Sequence, residues 1–585
     1  MASLPAWPPT LPVEAKDYLA HQATDYALAN GIVYRPLPIP PSTVPATDSA
    51  IHAPFSLFPS PFPKPLFQRA QAIQPAYDQL YAAVSADHAF LDRVIGQSVV
   101  QVDEFQKHLW DIYTEVKDDL VQPLSLGLFR SDYLLHDHDS AAASQAGSRK
   151  GDLGLKQVEF NTISASFGAL CTKVSGLHRH LASTTGYLGA HPGLDDLDRL
   201  PQNHALEVLA GGLRAAHLAY LEQKGQTSSG STAVLFVVQP NERNAFDQRP
   251  LEHQLQSHGI RVVRQTFDEV AAHVALDADT RALILTHPVL GMLEISTVYY
   301  RSGYGPGDYP SAVEWQTRKR VERSRAIKCP SIALQLAGAK KVQQVLAEPG
   351  MLEAFLGPDL RDRVAELRQT FTDLYPLDDS ALGQQGYQLA TTTPANFVLK
   401  PQREGGGNNV YRHDIPAFLA QLETETETET ETETESAKPA SASNANPDTV
   451  ALAEAVAKRQ AYILMSLIKP PAGLGNYLVK ASTPSSSSAS SSSSSSGGGD
   501  AGRQSTSAVL ASDTVSELGV YGAILFGACG SGGDASSLSS NSNSKSSVSV
   551  KHHESGGFLL RTKGRESDEG GVAVGFSVID SVFLV

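Results

Sequence analysis

Between about Gly225 and Ala339, short apolar runs alternate with helical stretches, and this alternation narrows the possible architectures more than any other feature of the chain. Ala233-Val234-Leu235-Phe236-Val237-Val238, Arg261-Val262-Val263-Arg264, Leu283-Ile284-Leu285 and Thr297-Val298-Tyr299-Tyr300 read as four strands. Strand, helix, strand order predicts a parallel sheet in an α/β unit, whose ligands collect at the carboxyl ends of the strands. Gln239 and the run Arg301-Ser302-Gly303-Tyr304 stand at two such ends. Outside this region, Val102, Phe105, Leu109, Ile112 and Val116 recur at the spacing of one buried helix face. Pro12 to Asn30 reads as an amphipathic helix stopped by Gly31, and Lys340-Lys341 opens a helical segment after Gly338.

A second constraint is chemical. The apolar run Phe397-Val398-Leu399 leads into Lys400-Pro401-Gln402-Arg403-Glu404-Gly405-Gly406-Gly407-Asn408-Asn409. Adjacent glycines let the chain adopt φ > 0 and bring bare N–H groups close to an anion, the cations offset phosphate charge, and Glu404 offers a hard oxygen to Mg²⁺. A flexible glycine turn after a strand is the alternative; the flanking Lys, Arg, Glu and Asn-Asn favour the phosphate site.

Gln157 to Leu170 follows a related logic. Alternation along a strand puts Glu159 and Asn161 on one face, which suits two oxygen ligands on one Mg²⁺, although a polar outer face of an antiparallel strand fits as well. Arg130 is read at the end of the strand-like run Leu126 to Tyr133, where it could fork onto a substrate carboxylate or form a structural salt bridge. His136-Asp137-His138-Asp139 is read as a solvated loop rather than a metal cluster. Near the end, Phe558-Leu559-Leu560-Arg561-Thr562-Lys563 and the following Gly570-Gly571-Val572-Ala573-Val574-Gly575-Phe576 place cations beside a glycine loop able to close as a lid.

At 585 residues and 41% hydrophobic, the chain can bury cores in about three or four domain-sized units. Of the formal charge of −15, about half belongs to the glutamates of the Thr-Glu repeat from Glu423 to Glu435, so the body is mildly acidic and gives no argument for nucleic acid. Low-complexity inserts at about 423–447, 482–508 and 530–550 cannot bury enough apolar surface to offset their ordering entropy. Cys171, Cys329 and Cys529 are far apart and odd in number, which argues against a disulfide framework or a zinc site and fits a reducing cytosol. The N-terminus lacks a signal-peptide pattern. The longest uncharged apolar run, Leu518 to Gly533, is shorter than the ~20 residues of a membrane helix, so no membrane association is expected.

The stretches Val158 to Gly168, Lys400 to Asn409, and Leu560-Arg561-Thr562-Lys563 with Gly570 to Phe576 closely resemble eukaryotic glutathione synthetases. The likeness extends to Asn241-Glu242-Arg243-Asn244 through Asp247-Gln248-Arg249 and to Gln335 through Lys341. The resemblance implies an α/β ATP-grasp fold, circularly permuted relative to the bacterial enzymes. Its nucleotide would lie between two antiparallel sheets, with an inserted parallel-sheet substrate domain and a lid. The implied divisions are 1–222 and 340–585 as the two parts of the catalytic body, with 223–339 as the insertion.

The same resemblance implies ligation of γ-glutamylcysteine and glycine through an acyl phosphate, with ATP and two Mg²⁺ ions, in a cytoplasmic homodimer. Glu159, Asn161 and Glu404 take the metal roles. Lys340, Lys400, Gly405, Gly406, Gly407, Asn408, Asn409, Tyr411, Met465, Ser466, Leu467, Ile468, Glu517, Lys563 and Glu569, with Asn161 and Glu404, take the ATP roles. Arg130, Ser164, Ala165, Ser166, Gln239, Arg301, Ser302, Gly303, Tyr304, Arg561, Val572 and Ala573 surround the peptide substrate. Arg130, Ser166, Gly405, Gly406 and Arg561 are the residues expected to act on the developing charge. Ser466 and Leu467 replace a more polar pair beside adenine, and Glu569 stands where aspartate is usual. A ligase using another amine such as β-alanine, or a nucleotide-binding regulatory protein without catalysis, are the alternatives.

Overall fold

The computed structural model describes residues 4–36, 48–138, 153–226, 230–357, 360–402, 408–422, 424, 456, 458–481, 508–528, 548–567, 572 and 577–585. Helices pack on both faces of a mixed sheet of 14 strands, and a separate antiparallel sheet of four strands stands beside it. Strand Leu124–Asp137 is the spine of the large sheet, and its nearly continuous apolar sequence is explained by burial along most of its length. One side of it pairs antiparallel with Thr514–Ala528, which forms a long hairpin with Val548–Gly564. The other side pairs antiparallel with Leu153–Asn161 and parallel, at Ser125, with Ile327–Cys329.

The region of strand–helix alternation joins this sheet. Gly291–Tyr300 pairs parallel with Thr232–Val237, which pairs parallel with Arg261–Gln265, as expected, and Gly291–Tyr300 also pairs parallel with Ile327–Cys329, a strand not read from the sequence. Leu283–His287 does not: it runs antiparallel to Gly291–Tyr300 and to Val274–Leu276. The turn between Leu283–His287 and Gly291–Tyr300 is too short for a crossover helix, which a parallel connection requires, and Gly291 takes φ 73° within it. The strand read at Thr297 therefore begins six residues earlier than its β-branched core suggests.

Two further readings need correction. Arg130 lies in mid-strand rather than at a strand end, since Leu124–Asp137 continues seven residues past it. His136 is half-buried in the same strand and accepts the Lys469 N–H at 3.1 Å, a structural contact in place of a solvated loop; Asp139 lies outside the described residues. The helical readings hold as Val13–Ala29, Glu104–Val116 and Lys340–Leu346. In Glu104–Val116 the Asp103 carboxylate caps the Gln106 N–H at 2.9 Å, while Phe105, Leu109, Trp110, Ile112, Tyr113 and Val116 are buried. Among the described residues, no helix is long and apolar enough to cross a membrane.

The four-stranded sheet, in the order Leu374–Tyr375, Tyr462–Ser466, Phe397–Pro401, Val410–Tyr411, has its own small core of Leu377, Ala390, Phe397, Leu399, Ile415, Leu419 and Leu464. It stands across from the hairpin of the large sheet, and the space between the two forms a cavity.

Candidate active site

Strand register builds one wall of this cavity. Arg561 pairs with Glu517, Glu517 with Leu134, Gly519 with Asp132, and Tyr521 with Arg130. Positions two apart on a strand share a face, so Arg130, Asp132, Glu517, Arg561 and Lys563 are brought to one side of the sheet. Across the next pairing, Asp132 faces Glu159 and Arg130 faces Asn161. The opposite wall comes from Val398, Lys400 and the run Met465 to Ile468 on the four-stranded sheet.

The cavity measures about 270 Å³. Glu159, Lys340, Lys400, Asn409, Tyr411, Met465, Ser466, Leu467, Ile468, Glu517, Arg561 and Lys563 line it, which unites most of the residues expected to hold ATP. Asn408 is exposed, and the Asn409 amide donates to the Tyr411 hydroxyl at 3.2 Å. The glycine cradle Gly405, Gly406 and Gly407 with Glu404, and Glu569 and Ala573, lie outside the described residues.

Lys340 Nζ donates to Glu159 Oε2 at 2.9 Å, and Lys400 Nζ donates to the Val158 carbonyl at 2.9 Å. Burial works against the charge on Glu159, but Lys340 and Lys400, with Arg561, outweigh it and hold the carboxyl well below the usual carboxylate range. Asn161 turns its amide nitrogen to the Arg130 carbonyl at 3.1 Å and to Asp132 at 3.0 Å, leaving its oxygen as the atom for a cation. An ionised carboxylate and an amide oxygen are hard donors of the kind Mg²⁺ takes, so this pair fits the ion. Among the described residues, no group of three or more His, Cys, Asp or Glu side chains is placed to hold a metal ion.

The residues expected around the peptide substrate form a second group beside the cavity. Arg130 is gripped bidentately by Asp132, at 2.6 and 2.8 Å, so its fork is not open to a substrate carboxylate; its Nη1 donates to the Ser166 carbonyl at 3.1 Å. Burial disfavours the Arg130 charge, and Asp132 more than restores it. Ser166 also accepts Arg301 Nη2 on its hydroxyl at 2.8 Å and Tyr521 OH on its carbonyl at 2.6 Å. Ser164, at φ 52°, donates its hydroxyl to the Tyr300 carbonyl at 3.0 Å. Ala165 is buried next to them. Gln239 donates to the Tyr304 hydroxyl and to Asp308 Oδ1, both at 2.9 Å, so the two expected strand ends do meet. Val572 is buried in a hydrophobic core.

Arg561 bridges two carboxylates. Its Nη2 donates to Asp132 at 3.2 Å and makes a short contact with Glu517. Burial opposes its charge as well, and Glu517 and Asp132 restore it. The N–H groups of Ser466 and Leu467 are bonded to the Asp373 and Asn396 carbonyls, so these two donors are committed within the protein.

Sequence reasoning passed over the carboxylates that hold these groups. Asp308 accepts the N–H groups of Gly303, Tyr304 and Gly305 and the Ser302 hydroxyl. Asp247 accepts the N–H groups of Phe167, Ala169 and Leu170, fixing the loop under Ser166. Asp132 had a legible signal, since it stands two residues from Arg130 on a strand. For Asp247 and Asp308 no local pattern marks the role. Arg565, also on the cavity, ties Asp513 to the Pro470 and Pro471 carbonyls.

Comparison with known proteins places these residues in context. The family description "Eukaryotic glutathione synthase, ATP binding domain" matches residues 13–584. The chain is similar to the glutathione synthetase large chain of Schizosaccharomyces pombe, with 33% identity over 98% of each chain. It is similar to the glutathione synthetase of Homo sapiens at 35% identity, over 97% of this chain and 96% of the human one. The chloroplastic glutathione synthetase of Arabidopsis thaliana is 35% identical over 92% of this chain and 79% of its own. Among solved structures, a glutathione synthetase like-effector from Globodera pallida in its apo form shares the fold, with a TM-score of 0.63 and 21% identity over 98% of both chains.

Proposed function

This chain belongs to the eukaryotic glutathione synthase family, and from that premise we propose how its site carries out the family's reaction. The protein is an ATP-dependent ligase that joins γ-glutamylcysteine to glycine, forming glutathione and releasing ADP and phosphate. The two facing antiparallel sheets are read as the ATP-grasp arrangement, permuted relative to the bacterial enzymes, with residues 223–339 as the inserted substrate unit and the two glycine loops as lids. The observation that carries the reading is the convergence of Glu159, Lys340, Lys400, Arg561 and Lys563 on one cavity between those sheets.

In this assignment the adenine lies along Met465 to Ile468 and the ribose meets Glu517. Lys340, Lys400 and Lys563 offset phosphate charge, with Asn409 and Tyr411 at the edge. Mg²⁺, held by Glu159, Asn161 and Glu404, would neutralise the phosphate oxygens when bound. The dipeptide extends toward Arg130, Ser164, Ser166, Arg301, Tyr304 and Gln239. Its terminal carboxylate attacks the γ-phosphate, the bond to the β-phosphate breaks and ADP leaves, giving an acyl phosphate; the glycine amine attacks that carbonyl, phosphate leaves and the nitrogen gives up a proton as the amide forms. No protein nucleophile is needed, because the chain contributes position and charge. Arg561, at the junction of the nucleotide and peptide groups, offsets the negative charge that develops on the transferred group. Closure of the lids excludes water from the acyl phosphate, which would otherwise hydrolyse. Family resemblance supports a cytoplasmic homodimer.

The test is ADP release by the purified protein with γ-glutamylcysteine and glycine, omitting each in turn. Release that requires both supports the reading. Release with β-alanine in preference to glycine assigns a different amine, and no release with all substrates present excludes the ligase.

A further inference from the structure

Asp132 sits at the centre of the site without any role drawn from the sequence. It is fully buried, and its two oxygens take four donors from three residues. Arg130 Nε and Nη2 donate at 2.6 and 2.8 Å, Asn161 Nδ2 at 3.0 Å, and Arg561 Nη2 at 3.2 Å. The three donor residues come from three different strands, Leu124–Asp137, Leu153–Asn161 and Val548–Gly564. One arginine would suffice to neutralise a buried carboxylate; gathering an amide from the adjacent strand and a second arginine from the strand beyond Thr514–Ala528 fixes how those groups point.

The neighbouring strand is shaped around this arrangement. Gly519 faces Asp132 in register. A Cβ at that position would stand 2.8 Å from Asp132 Oδ1 and 2.7 Å from Arg130 Cδ, so a side chain there would displace the fork. The glycine is required by close approach, not by an unusual φ.

We infer that Asp132 is a positioning residue of the ligation: its carboxylate orients Arg130, Arg561 and Asn161 together, so that the groups meeting the dipeptide and its activated carboxylate act as one rigid unit. The inference rests on the ligase reading of the site. Its consequence is selective. Most of the assigned nucleotide contacts come from Lys340, Lys400 and the run Met465 to Ile468, whereas Arg130 and Arg561, which Asp132 bonds directly, are assigned to the dipeptide and the transferred group; Asn161 links Asp132 to the metal position, so nucleotide binding is compared without Mg²⁺. Without the carboxylate the two guanidinium groups lose their common anchor, and binding energy of the dipeptide is spent on ordering them.

The experiment compares the full-length wild-type protein with Asp132→Asn, Asp132→Glu and Gly519→Ala. It measures kcat, KM for each substrate, binding of a non-hydrolysable ATP analogue without dipeptide or Mg²⁺, and thermal stability. For Asp132→Asn the expected result is a fall in kcat/KM for γ-glutamylcysteine of about a hundredfold, with analogue affinity within about threefold. Asp132→Glu, which keeps the charge, recovers part of that loss, and Gly519→Ala raises the dipeptide KM with the charge untouched. A dipeptide kcat/KM within about threefold of wild type, or an equal loss of analogue affinity, overturns the inference. If Asp132→Asn does not fold, the other two variants decide: a raised dipeptide KM with unchanged analogue binding supports the role, and an unchanged dipeptide KM or parallel losses overturn it. A wild-type protein that releases no ADP with both substrates would overturn the ligase reading itself, which is distinct from active wild type beside an unaffected variant.

Discussion

Lys340 Nζ lies 2.9 Å from Glu159 Oε2, so the lysine assigned to nucleotide phosphate and the carboxylate assigned to Mg²⁺ are partners within the protein. Both are largely buried, and a bare carboxylate or ammonium there would carry a large desolvation cost. The pair keeps each group charged until substrates arrive. A metal at Glu159 and phosphate at Lys340 would then replace each partner with a charge of the same sign as the one it loses.

Substituting Glu159 by Gln therefore separates two effects. The lysines stay, so binding of ATP without metal holds or tightens, while metal-dependent turnover falls by about a hundredfold or more. Titration calorimetry with and without Mg²⁺, beside the turnover assay, checks both halves. Turnover that survives intact would remove Glu159 from the metal position.

Arg561→Lys keeps a positive charge but cannot span Asp132 and Glu517, which the guanidinium contacts together. Turnover is expected to drop about ten- to a thousandfold while ATP affinity changes little. Steady-state kinetics with ATP and dipeptide varied in turn reads the difference, and an unchanged kcat would sink the assigned role.

Asp308→Ala unties the loop Ser302 to Gly305 and frees Gln239 from its carboxylate partner. Three backbone N–H groups lose their acceptor, at about 1 kcal/mol or more each. The dipeptide KM should rise about tenfold or more with the ATP KM unaffected. Equal changes in both would point to general destabilisation.

His217 is buried, its Nδ1 lies 2.7 Å from the Ser296 hydroxyl, and burial lowers its pKa to about 4. Below the unfolded value near 6.5, the unfolded chain takes a proton that the folded one refuses. The stability contributed is thus complete above about pH 6.5 and is lost as pH falls toward 4, by about 1–3 kcal/mol. Denaturant unfolding of wild type and His217→Gln at pH 5 and 7.5 tests this. The wild type should lose more stability on acidification than the variant, and parallel losses would exclude the histidine as the source.

Local pattern in the sequence was enough for the parts of the protein whose chemistry is carried by neighbouring residues. The helix Glu104–Val116, the pair Glu159 and Asn161 on one strand face, and the cations at Arg561 and Lys563 each follow from periodicity or residue type over a few positions. The long motifs around Val158, Lys400 and Arg561 carried the family, and with it the substrates. Contact across the chain decided the rest. Leu283–His287 became antiparallel because of a turn whose length outweighs the strand–helix rhythm. Arg130 lost its open fork to Asp132, and Arg561 meets Glu517 and Asp132 from positions 44 and 429 residues away. Lys340, Lys400 and Glu159 were legible as separate residues; that the lysines offset the Glu159 charge could not be read, because ion pairing in a buried site depends on distance and dielectric, which only packing supplies.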